Sequence, residues 1–145
     1  MNRTTLKFRD FAKRLILIDV KSSKSAAMKP RAVFTVLDRL RPCLVQIVGD
    51  LGFKAVLSRA LASATADVAW LRAIHIKPDG SLDGVDELEP KVDPKEIAEG
   101  RDALLAEFFG LLVELLGERL VLQLVHTAMP NVSKDHLYFG KGTST

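Results

Sequence analysis

The residues whose types and spacing come nearest to a recognisable chemistry lie in one acidic loop. Asp79, Ser81, Asp83 and Gly84 match the opening of a calcium loop, in which oxygen ligands at alternate positions reach one hard cation. The twelfth position of such a loop supplies a bidentate glutamate. Here it is Pro90, and Glu89 stands one place early. Without that ligand the site loses charge and geometry together, and the competing reading is a turn-rich loop with solvated acids. The three histidines, His75, His126 and His136, stand beside no nucleophile or acid in the sequence. A catalytic histidine needs such a partner within hydrogen-bond reach. No HExxH or ExxH spacing supplies a metal set. Cys43 has Arg39 and Arg41 nearby, which could lower a thiol pKa, but a cysteine between Leu40 and Leu44 reads first as a packing residue. Ser58 is not in a G-x-S-x-G elbow.

Phosphate chemistry is equally thin. The run Gly49-Asp50-Leu51-Gly52-Phe53-Lys54 has two glycines and a lysine ahead of a helix, but it lacks the G-x-x-x-x-G-K-[ST] pattern and no strand precedes it. With no dinucleotide fingerprint either, no cofactor is expected. Cys43 is the only cysteine, so an intramolecular disulfide and a CxxC zinc site are both excluded. The most apolar stretch, Phe108 to Val125, is interrupted by Glu114, Glu118 and Arg119. That reads as a buried helix and not a membrane span. A cytoplasmic location is the resulting expectation.

The elements that must position these residues are mostly helical. Phe8, Phe11, Ala12, Leu15 and Ile18 recur at helical spacing and predict a helix over 4–19. A basic, serine-rich linker follows over 21–29. The spacing of Val33, Leu37, Leu40, Leu44, Ile47 and Val48 predicts a helix over 30–48. Pro42 should kink or break it, and Gly49-Asp50-Leu51-Gly52 should close the segment with a turn, which leaves 42–51 open between helix and corner. Phe53, Val56, Leu57, Ala60, Leu61 and Ala64 predict an amphipathic helix over 52–64. A short helix over 66–73 is anchored by Trp70 and Leu71, with Asp67 near its N-terminal end. Residues 74–85 read as a small β-hairpin or ordered loop. Asp93-Pro94-Lys95-Glu96 is the strongest helix start in the chain. The helix it opens should run to Leu116 as the central one, with Gly100 and Gly110 permitting close approach. A last helix over 118–128 turns Leu120, Val121, Leu124, Val125 and Ala128 inward. The fold expectation is all-α: one domain over 1–139, a bundle of about five or six helices with that hairpin near 74–85, and a flexible tail over 140–145.

Charge is divided along the chain. Residues 1–73 hold 14 Lys/Arg and 5 Asp/Glu, whereas 74–145 hold 7 and 13. The overall net charge of +3 is therefore the remainder of a basic pole and an acidic pole. The densest basic run is Arg3, Lys7, Arg9, Lys13 and Arg14. Cations converging on one face would suit nucleic acid, but there is no aromatic interleaving and no clear helix-turn-helix. The economical reading sets one pole against the other, within the molecule or across an oligomer. Val113 and Leu122 lie off the main apolar stripes and could add a partner surface.

Gly52-Phe53, Leu57-Ser58-Arg59-Ala60-Leu61, Trp70-Leu71, Ala73, His75-Ile76-Lys77 and Asp79-Gly80-Ser81-Leu82 resemble a pattern in a group of small uncharacterised bacterial proteins, over about residues 6–128. The resemblance implies a bacterial, soluble origin and carries no activity, ligand or partner. The expectation is a non-enzymatic protein-interaction, regulatory or adaptor module that can self-associate. Its partner-surface candidates are Arg3, Lys7, Arg9, Lys13, Arg14, Val113 and Leu122. The alternatives are a nucleic-acid-binding regulator using the basic half, and an enzyme whose site has no recognisable motif.

Overall fold

A computed structural model describes residues 8–14, 32–78, 82–84 and 91–129. Expectations for the linker over 21–29, for Leu15, Ile18 and His136, and for the 140–145 tail lie outside the described residues. The protein is mostly helical, with four helices and one small antiparallel sheet among the described residues. Residues 8–14 form α1. Helix α2 spans Ala32–Asp67, α3 spans Pro94–Leu116 and α4 spans Glu118–Ala128. A 3-10 helix, Ala69–Ala73, leads from α2 to the hairpin.

The long α2 is two helices joined at one residue. Gly49 sits at φ 80°, ψ 167°, far from helical geometry. Only glycine occupies that region without strain. The turn expected over 49–52 is found as a break at Gly49, whereas no break occurs at Pro42, which lies inside the helix. A proline removes one backbone bond, and this helix, packed on its neighbours along Val36, Leu37, Leu40 and Leu44, tolerates the loss. Ile47, expected inward, is 46% exposed, because the segment ends two residues on and the chain turns.

After Gly49 the expected stripe is buried at Phe53, Leu57, Ala60 and Ala64, with Val56 and Leu61 packed against its edge. Asp67 closes α2 and does not open the next helix. That end of a helix is the negative pole of its dipole, an unfavourable place for a carboxylate. The 3-10 helix buries Leu71. Strands β1 (His75–Ile76) and β2 (Leu82–Asp83) pair antiparallel, His75 opposite Asp83 and Ile76 opposite Leu82. The Lys54 ammonium donates to the Pro78 carbonyl at 2.9 Å and ties this hairpin to α2.

Helix α3 begins as its first residues dictate. Asp93 caps it, its carboxylate accepting from the Lys95 N–H at 2.9 Å, and Pro94 occupies the first turn. It is covered on more than one side: five successive residues, Asp102 to Ala106, are buried, and so are Phe108, Phe109 and Leu112. Helix α2 packs mainly on α3, and α4 touches both. Helix α1 lies antiparallel along α3. Phe8 approaches Gly110, Phe11 stacks edge-on against Phe109 with centroids 5.0 Å apart, and Lys13 reaches Asp102. Phe108 joins Phe53 to the same aromatic cluster. Gly117, at φ 91°, separates α3 from α4, which buries Val121 and Val125.

Candidate functional site

Two places hold residues that packing alone does not explain. One is a buried ionic cluster between α1 and α3. Asp102 is only 5% exposed. Its carboxylate faces the Arg101 guanidinium at 3.3 Å and the Lys13 ammonium at 3.9 Å. Burial raises the Asp102 carboxyl above its ordinary range, opposed by Arg101, Lys13 and Arg9. Glu107, about a turn further along α3, is raised by burial and by the Asp67 carboxylate, with Arg9 opposing. Arg9 therefore acts on both acids, and its Nε is buried without a hydrogen-bond partner. Arg14 pairs with Asp10 at 3.1 Å and lies over the Phe11 ring at 5.4 Å. Here the basic N-terminal helix meets acids of the second half of the chain.

The other place is an open groove of about 300 Å³ between the second half of α2 and the last turns of α3. Ala55, Val56 and Arg59 form one wall; Leu111, Glu114 and Leu115 form the other. Leu51 lies one helical turn before Ala55 on the same face of α2 and is 80% exposed. Leu115 is 58% exposed. With Ile47, these are the exposed large apolar side chains among the described residues. Arg59 and Glu114 are exposed on opposite walls, so the groove is apolar at its centre with one cation and one anion at its margins.

The residues expected to carry chemistry fall elsewhere. Asp83 is exposed on β2, while Asp79 and Ser81 lie outside the described residues. Among the described residues no group of three or more His, Cys, Asp or Glu could hold a metal. His75 is exposed, His126 and Cys43 are half-buried and Ser58 is exposed. Of the partner-surface candidates, Arg3 and Lys7 lie outside the described residues. Arg9 and Lys13 belong to the contact between α1 and α3, and Arg14 pairs with Asp10 within α1. Val113 and Leu122 are partly buried against the core. The two titratable groups that burial displaces, Asp102 and Glu107, do not line the groove. No helix of the described residues is long and apolar enough to cross a membrane.

Leu51 and Leu115 were missed for different reasons. The stripe that starts at Phe53 already puts Leu51 on the opposite face, so its exposure was legible. Leu115 shares its helical face with Phe108 and Leu112, and the pattern predicts burial. Its exposure comes from position, in the last turn before Gly117. No family model, no curated protein and no solved structure matches the chain.

Proposed function

We propose that the chain is a non-enzymatic protein-interaction module of the adaptor or regulatory kind, and that the α2–α3 groove is where it engages a protein. The observation that carries this reading is the groove itself: Val56, Leu111 and the well-exposed Leu115 line it, the exposed Leu51 stands one turn before Ala55 on the α2 wall, and Arg59 and Glu114 stand on opposite walls. Protein interfaces have this composition: an apolar centre that excludes water and a polar rim that fixes orientation. An enzymatic site would instead bring displaced titratable groups into the concavity. Asp102 and Glu107 are held by α1 and its cations, away from the groove lining. The described part of the basic run is likewise turned toward acids of its own chain, which favours a protein over a nucleic acid. The bundle of five or six helices, with α2 counted as two at Gly49, the bacterial origin and the cytoplasmic setting belong to the same proposal.

The test compares wild type with Leu51→Asp and Leu115→Asp as bait in an extract of the native host. Both substitutions fall on exposed side chains, so circular dichroism should be unchanged. A protein held by wild type and released by both variants is expected. Equal retention by all three would show that the groove does not carry the interaction.

A further inference from the structure

The interaction reading leaves the occupant of the groove open, and its charges narrow the choice. The α2 wall presents Arg59 and the α3 wall presents Glu114, and both are exposed. Neither makes an ion pair among the described residues. A partner surface of one charge sign would satisfy one wall and leave the other facing a like charge, at a cost to association. A second copy of the same groove satisfies both. Resting on that reading, we infer that the groove binds a second copy of this chain about a two-fold axis running along it, with Arg59 of each copy against Glu114 of the other.

The geometry selects that axis. A two-fold along the groove lays the α2 wall of one copy over the α3 wall of the other. Both Arg–Glu pairs then form, and the exposed leucines of the two copies close over the apolar strip. Turning the second copy end over end sets α2 on α2, arginine on arginine and glutamate on glutamate. A two-fold interface uses the same patch twice, so every favourable contact is made twice and every like-charge clash is also made twice. The charge pattern thus admits one of the two pairings and disfavours the other. The patch occupies one end of the helical pair, which sets the interface near the small end of the specific class. Association is accordingly weak and concentration-dependent.

Sedimentation equilibrium of the full chain over about 1 to 500 μM tests this directly. Wild type should move from 16.0 kDa to twice that mass as concentration rises. Arg59→Glu alone and Glu114→Arg alone each create two like-charge contacts and should weaken the dimer about tenfold or more. Combining them restores both pairs in reversed sense and should return the constant to within about threefold of wild type. A dimer indifferent to both single reversals would overturn the proposal, since another surface would be holding it. A wild type that stays at 16.0 kDa throughout would also overturn it. If such a monomer still captures a host protein through Leu51 and Leu115, the interaction reading stands and the occupant is a different chain. If it captures none, that reading falls as well.

Discussion

Gly100 shows how one position joins distant parts of the chain. A Cβ built there would lie 2.4 Å from the Trp70 ring. The same indole donates its N–H to the Glu96 carbonyl at 3.0 Å, so the ring is fixed over the first turns of α3. Alanine is the better helix former by about 1 kcal/mol, yet Gly100→Ala should destabilise by about 1–3 kcal/mol because the ring cannot retreat without losing its hydrogen bond. The urea midpoint checks this, and a stabilised variant would contradict it. The sequence offered half of this picture: a glycine inside a strong helix implies close approach, but nothing in the chain names Trp70 as the neighbour.

Asp102 and Glu107 give a second expectation at the residue scale. Both carboxyls are raised above their ordinary range by burial. A folded state that holds its protons more tightly than the unfolded chain loses stability as pH rises. The contribution is full below the ordinary carboxylate value and is lost as pH climbs through the raised folded value. The double variant Asp102→Asn, Glu107→Gln titrates at neither site. Its urea midpoint, relative to that of wild type, should rise between about pH 4 and pH 7. A difference constant across that window would contradict the placement of these acids.

At the scale of elements, α2 is where pattern and structure part. Its two apolar stripes are both legible, and both are buried at their centres, Leu37, Leu40 and Leu44 in one and Phe53, Leu57, Ala60 and Ala64 in the other, with Ile47 the exposed exception. The turn over 49–52 was legible as well; that Pro42 leaves the helix unbroken was not, because a proline reads as a breaker wherever it stands inside a helical pattern. Packing decides: the residues around Pro42 lie against the core at Leu40 and Leu44, whereas Gly49 is exposed and its chain can turn. Gly49→Ala forces a side chain into a region that only glycine occupies freely and should cost about 1–3 kcal/mol in chemical denaturation. Pro42→Ala should stabilise or be neutral, since it returns a backbone donor to a helix that already runs through the position. Phe11, at the centre of the α1–α3 contact, should cost about 3–5 kcal/mol when cut to alanine. A much smaller loss would mean that α1 is not held on α3 as described.

For the whole molecule, the division of charge takes a specific form. Ion pairs such as Arg14–Asp10 and Arg41–Asp38 join neighbours within the basic half. The poles meet where Lys13 and Arg9 of α1 approach Asp102 and Glu107 of α3. The groove carries its own balanced pair, Arg59 from the basic half and Glu114 from the acidic half. That pair follows from which helix faces stand side by side, so it could not be read from composition.

The groove is the proposed working surface, and the equilibrium mass of the charge-reversal pair probes it most directly. Arg59→Glu and Glu114→Arg should each shift wild-type dimer toward monomer, and the two together should bring it back. Dimerisation unaffected by either reversal would contradict the account.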